Sequence, residues 1–226
     1  MKKIAVLTGA GISAESGLKT FRDANGLWEG HDVMEVASPE GWYANMELVL
    51  DFYNQRRKQL KTVQPNAAHK ALVELENKYD VMIITQNVDD LHERAGSSHV
   101  IHLHGELLKA RSSHDENLVM DWDKDICLGD LCQHKSQLRP HIVWFGEAVP
   151  LLEEAAFYTS QADYVLIIGT SMQVYPAAGL IDYAKRDAKI FFIDPKPTVN
   201  SGTNLTVLAE NASTGVPTVV EQLLNN

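Results

Sequence analysis

In the apolar run Val100-Ile101-His102-Leu103-His104-Gly105, two imidazoles stand two residues apart. In a strand such residues share a face, so the pair could be a catalyst, metal ligands, or packed side chains. Three further polar clusters also follow apolar runs: Gln86-Asn87-Val88-Asp89, Gly146-Glu147 and Gly169-Thr170-Ser171. Any one of them could simply start a helix through an Asn, Asp or Ser cap, as Asn87 or Asp89 could for "VDDLHERAG". Four such run ends, counting His104-Gly105-Glu106, favour a ligand site, because ligands in open parallel sheets bind beyond the carboxyl ends of strands. His104 ends its run at that edge, whereas His102 falls within the strand. A neutral imidazole with a pKa near 6.5 can take a proton from a hydroxyl around neutral pH.

The first apolar run leads into a glycine-rich turn, with Gly9, Gly11 and Ala14 in a G-x-G-x-x-A arrangement. Backbone amides there can approach a pyrophosphate, with a helix N-terminus aimed at its charge, although a tight strand-to-helix turn with no ligand would look the same. About 20 residues on, a dehydrogenase would place a ribose-binding acid at the end of a second strand. Here the sequence is "ANGLWEGHD", which looks like loop. A nucleotide is expected, held in another way.

The elements that must position these groups alternate in kind. Short, nearly continuous apolar runs predict strands at Ile4–Thr8, Val81–Thr85, Val100–Leu103, His141–Phe145, Tyr164–Ile168 and Ile190–Ile193, as in a parallel sheet covered on both faces. Helical patterns lie in "NMELVLDFYNQRRKQL", in "NAAHKALVELENKY" after Pro65, and in "PAAGLIDYAKRDA" from Pro176. This alternation predicts an α/β fold with right-handed crossovers. Residues 111–138 break the rhythm as a polar, irregular excursion.

Composition bounds the rest. The 226 residues are 45% hydrophobic, enough for a sizeable core, and 20 basic against 30 acidic residues leave a net charge of −10. That argues against a nucleic-acid backbone or an anionic membrane as partner. The apolar run after Met1-Lys2-Lys3 is too short for a signal segment, and no run has the length of a membrane span. With two cysteines, Cys127 and Cys132, the expectation is a reducing cytoplasm and no disulfide framework.

The segments "GAGISAESG", "FRDANGLW", "TQNVDDLHERAGS", "HLHG", "RPHIVWFGE" and "GTSMQVYP" occur in that order through nearly the whole chain. Together they resemble the sirtuins, NAD-dependent protein lysine deacylases. The resemblance implies a single catalytic domain over 1–226, built on a Rossmann-like open parallel sheet with a small inserted second domain. The large part would span about 1–25, 65–105 and 140–226, and the small part 26–64 (helical) and 106–139. Gly9, Ala10, Gly11, Ile12 and Ser13, with Phe21, Arg22 and Trp28, would surround NAD as co-substrate. Gln86 would hold the nicotinamide ribose, Asn87 an active-site water and Asp89 the nicotinamide amide, with Val88 between them. Gly169, Thr170, Ser171, Asp194 and Ala212 would meet the adenosine half. His104 would be the general base and Asn87 the second catalytic residue. Val143, Phe145, Gly146 and Glu147 on one side and Val174 on the other would pair with an acylated substrate peptide as strands.

Tyr53 and Arg56 stand three apart on a predicted helix, hence on one face. A guanidinium beside a phenol can bind a carboxylate, although Arg56 could equally be one of several solvated charges in "NQRRKQL". The pair resembles the mark of class III sirtuins, implying succinyl- and malonyl-lysine substrates with acetyl-lysine retained, Thr20 matching the class and Ala24 leaving room for the longer chain.

The resemblance fails in two places. Sirtuins usually bind a structural zinc through four cysteines, but Ser112 stands where the first should be, and Cys127, Cys132, His114 and His134 match no familiar spacing. A metal-free small domain is expected, held by Leu118, Val119, Met120, Trp122 and Leu131. Asp194 stands in place of the usual Asn and can only accept hydrogen bonds. Competing readings are an NAD glycohydrolase or ADP-ribosyltransferase using the same site, and a silent NAD-binding module. A monomer is expected, and Gly26 and Gly30 suggest a loop that closes on the cofactor.

Overall fold

In the computed structural model, which describes residues 1–19 and 27–225, five of the six predicted runs form one parallel sheet. The chain begins with β1 (Lys3–Thr8), α1 (Ala10–Ala14) and a small hairpin, β2 (Leu27–Trp28) and β3 (His31–Asp32). Then come α2 (Val33–Val36), α3 (Pro39–Ala44), α4 (Met46–Leu60), α5 (Ala67–Leu75), β4 (Asp80–Thr85), α6 (Leu91–Ala95) and β5 (Val100–His102). An antiparallel set, β6 (Gly105–Ser112), β7 (Val119–Asp121) and β8 (Leu138–Ile142), follows. The remainder is α7 (Leu152–Gln161), β9 (Tyr164–Ile168), a 3-10 helix over Ala177–Tyr183, β10 (Lys189–Ile193), β11 (Leu205–Leu208) and α8 (Ala212–Leu224).

The large sheet runs β11-β10-β9-β1-β4-β5 with every pair parallel. Chain order reverses between β1 and β9, which opens a crevice beyond Thr8 and Ile168. Strand β1 is buried on both faces: Ile4 and Val6 pack toward Leu72 of α5 and Val216 of α8, Ala5 and Leu7 toward Ala155 of α7 and Leu180. This two-sided burial explains why these strands are continuous apolar runs.

Helices α4 and α5 begin where side chains satisfy their first amides. Asn45 accepts from the Leu48 amide at α4, and at α5 Asn66 and His69 bond each other's backbone in a capping box. Helix α4 packs its buried face, including Phe52, Tyr53 and Leu60, with α2, α3 and the β6–β8 sheet in a separate apolar cluster.

Four expectations change. The run predicted as a strand at His141–Phe145 is instead β8, which begins at Leu138, ends at Ile142 and pairs antiparallel with β6. Beyond it the Val143 and Phe145 amides bond the His104 and Ala37 carbonyls at 2.9 Å each, outside any ladder. The excursion after Arg111 is less irregular than expected, since β7 pairs with β6. Of the residues expected to hold the small part, Leu118, Met120 and Trp122 pack on its core, but Val119 and Leu131 are 36% and 51% exposed, and Ile126 and Cys132 take their place. The segment after Pro176 is a 3-10 helix.

Candidate active site

The glycine turn closes against the loop after β9. The Gly9 amide donates to the Ile168 carbonyl at 3.0 Å, and the Gly11 amide to the Gly169 carbonyl at 2.8 Å. A Cβ at Gly11 would lie 2.6 Å from Gly169 Cα, and one at Gly9 2.7 Å from Thr170 Cβ. These glycines therefore let two loops meet backbone to backbone, and two amides expected to face a phosphate are engaged by the neighbouring loop instead.

Around this contact lies a cavity of about 560 Å³. Gly9, Ala10, Gly11 and Ser13 line it beside Gly169, Thr170, Ser171, Asp194 and Ala212. Gln86, Asn87, Val88, Asp89 and His104 line it too, as do Trp28, Tyr53, Arg56, Val143, Phe145, Gly146, Glu147 and Val174. Ile12 is the exception: its side chain is buried in the sheet core and only its backbone borders the turn. Thr20, Phe21, Arg22, Ala24 and Gly26 lie outside the described residues.

The two imidazoles occupy different chemical states. His104 Nδ1 is 3.0 Å from the Gln86 carbonyl. A carbonyl only accepts, so Nδ1 carries the proton and Nε2 is the basic atom of the neutral ring. Burial lowers the His104 pKa below its ordinary value, partly offset by that carbonyl. His102, as expected, lies within the strand, with Nδ1 3.1 Å from the Asn87 carbonyl and Nε2 2.7 Å from Glu93 Oε1. Burial disfavours its charge, but Glu93 prevails and holds its pKa above the usual value.

The turn after β4 is tied to the glycine loop. Asn87 Nδ2 donates to the Gly9 carbonyl and the Ser13 hydroxyl at 3.1 Å each, and Ser13 Oγ donates to Asp89 at 3.0 Å. Burial raises the Asp89 pKa, opposed by bonds from the Leu91 amide and Ser13.

Helix α4 supplies the opposite wall. Tyr53 is fully buried and its hydroxyl accepts from Trp144 Nε1 at 3.0 Å. Arg56 stacks 4.5 Å from the Phe52 ring, and its Nε and Nη1 are shut off from solvent with no hydrogen-bond partner among the described residues. Burial lowers its pKa, while Glu29 and Asp51 counter that. Sequence reasoning missed Trp144 and Glu29, both lining the cavity. Trp144 stood inside "VWFGE" as a signal, and Glu29 had none. The Glu147 carboxylate is occupied by Arg111, Arg139 and the Trp144 amide, so that side chain braces the loop.

In the small sheet, Cys132 is buried with its thiol 3.3 Å from the Ser112 hydroxyl, and Cys127 is exposed. Among the described residues, no three His, Cys, Asp or Glu side chains gather to hold a metal ion. Nor is any helix among them long and apolar enough to cross a membrane.

The profile of the Sir2 family, the sirtuins, matches residues 9–176. The chain belongs to the Sir2 family. A relative named NAD-dependent protein deacylase from Helicobacter pylori is 69% identical over 196 residues, covering 87% of this chain and 86% of that protein. One of the same name from Bacteroides thetaiotaomicron is 51% identical, covering 99% of both. A solved Sir2 homologue in complex with ADP-ribose matches with a TM-score of 0.89 at 38% identity, covering 99% of this chain and 92% of that one. A Sir2 homologue in complex with NAD matches at 0.88 and 37%, covering 99% and 90%. In this Sir2 chain the profile match takes in the glycine turn, the QNVD turn and His104, while Asp194 and Ala212, beyond its end, reach the same cavity through the sheet.

Proposed function

We propose that this protein is an NAD-dependent protein lysine deacylase that removes succinyl and malonyl groups and also accepts acetyl. The Sir2 relationship and the shape of the crevice support the cofactor: the polar lining fits a dinucleotide, with the Thr170 and Ser171 hydroxyls, the Gln86 side-chain amide and the accepting Asp194 carboxylate around a strand-order reversal. Bound NAD supplies an anomeric carbon that becomes electrophilic as nicotinamide leaves.

The chain's own groups do the rest. Gly9 to Ser13 and Trp28 enclose the cofactor with Gly169 to Ser171, Asp194 and Ala212. Gln86 holds the nicotinamide ribose, Asn87 orients a water, and Asp89 receives the nicotinamide amide. His104 Nε2, neutral and basic at pH 7, takes the proton of a ribose hydroxyl. The segments holding Val143, Phe145 and Gly146 and holding Val174 receive the peptide backbone, which gives affinity with little demand on peptide sequence.

The acyl preference is carried by one observation, the half-buried Arg56 guanidinium, whose Nε and Nη1 are shut off from solvent and unmet among the described residues. Leaving such donors unpaired is costly unless a ligand completes them, and a carboxylate does so with charge-assisted bonds. The test compares one peptide carrying succinyl-lysine or acetyl-lysine, with and without NAD. Arg56→Met should lower kcat/KM for succinyl about 10- to 100-fold, matching about 1.5–3 kcal/mol for a hydrogen bond to a charged group, and leave acetyl turnover near wild type. Equal loss on both peptides would refute the acyl preference. Nicotinamide release without any acyl peptide would instead support a glycohydrolase.

A further inference from the structure

We propose that His102 is a positioning residue for Asn87: anchored to Glu93, it grips the Asn87 carbonyl and so sets the side chain that deacylation uses. This rests on the function proposed above, and it assigns a task to the first imidazole of the His102-Leu103-His104 segment.

The geometry is specific. Carbonyl oxygens only accept, so the His102 Nδ1, 3.1 Å from the Asn87 carbonyl, is a donor. Its Nε2, 2.7 Å from Glu93 Oε1, donates as well, and the ring sits 7% exposed between them. Two residues on, His104 Nδ1 donates to the Gln86 carbonyl at 3.0 Å. Successive carbonyls of the Gln86-Asn87 dipeptide are thus held by successive same-face imidazoles of one segment. The remaining backbone of this turn is fixed elsewhere: the Asn87 amide by Thr85 Oγ1 at 3.0 Å, the Val88 carbonyl by the Leu107 amide at 2.8 Å. Only the 87–88 peptide plane depends on His102. Loss of that hold would free the turn to shift at Asn87 and carry its side-chain Nδ2 away from the Gly9 carbonyl and the Ser13 hydroxyl. A charge-assisted donor held by a carboxylate resists this more strongly than a neutral one.

The experiment compares His102→Leu, which removes both donors, with His102→Asn, which keeps an N–H near the Nδ1 position, and Glu93→Gln, which keeps the packing and loses the charge. Deacylation kinetics are read alongside amide hydrogen exchange of residues 86–91. The Leu variant should lose tenfold or more in kcat with KM for NAD within twofold and exchange 86–91 faster. The Asn variant should recover most of both, and Glu93→Gln should fall between. Wild-type kcat and exchange in the Leu variant would overturn the proposal, as would equal losses in Leu and Asn, or a fall in kcat matched by a rise in KM for NAD. Should the Leu variant not fold, Glu93→Gln indistinguishable from wild type in both readouts overturns it. Absence of acyl-lysine turnover in the wild type would overturn the function reading alone, because the exchange comparison still decides the role of His102.

Discussion

At the scale of the residue, two histidines of one short segment are pushed in opposite directions by what each nitrogen meets. His104 faces the cavity with a pKa lowered by burial, and Glu93 holds the His102 pKa above its usual value. Divergent neighbouring groups are a frequent sign of divided acid and base duties. The expected outcome is an acid limb in the kcat/KM profile with a midpoint below about 6.5, the ordinary imidazole value, and loss of that limb together with nearly all turnover in His104→Ala. A midpoint above that value would assign the limb to another group. The choice of His104 over His102 was legible because His104 comes last in the apolar run, just before Gly105, and so lies beyond the end of β5 at the crevice. The Glu93 anchor was not, because it depends on how α6 lies against β5, a tertiary fact absent from local pattern.

At the scale of the element, the glycine turn shows how a correct motif can carry a partly different reason. Gly9 and Gly11 read as a place where a phosphate approaches backbone, yet they also let the loop after β9 approach. Gly11→Ala should therefore destabilise the protein without ligand by about 1–3 kcal/mol, the range for an overpacked interior, as well as weaken NAD binding. Denaturant midpoints measured in the absence of NAD check this, and an unchanged midpoint would leave only the phosphate role. The small antiparallel sheet makes a second prediction. Its core rests on Ala110, Ile126, Cys132 and Leu138 with α4, so dialysis against a chelator should leave the thermal midpoint unchanged, whereas stoichiometric zinc in the purified protein would contradict the reading. Elements whose apolar residues run together were legible in the sequence. Strand β8 was misplaced because Pro140 interrupts its apolar pattern, and β11 and α8 were overlooked because one has four residues and the other contains Gly215 and Pro217.

At the scale of the whole molecule, buried titrating groups link the fold to pH. Burial lowers the His69 pKa to about 4 and the His92 pKa well below its usual value. In the unfolded chain both rings bind a proton near pH 6.5. Their contribution to stability is therefore complete above about 6.5 and lost as pH falls toward about 4. His102, with a raised pKa, acts oppositely and loses its contribution as pH climbs through its folded value. Thermal midpoints from pH 7 to pH 4 should fall on the acid side, and a flat curve between pH 6.5 and pH 5 would contradict this.

The central position of β1 has a further consequence, for how the chain becomes a protein. Its two partners are β4 and β9, and the bond from the Lys3 amide of β1 to the Asp163 carboxylate, just before β9, joins residues 160 positions apart. During synthesis at roughly 5–20 residues per second, the sheet's middle strand waits on the order of ten seconds or more with one edge unpaired. The crevice between β1 and β9, where the chemistry is assembled, is then among the last features to exist, and a nascent chain is inert until its centre closes.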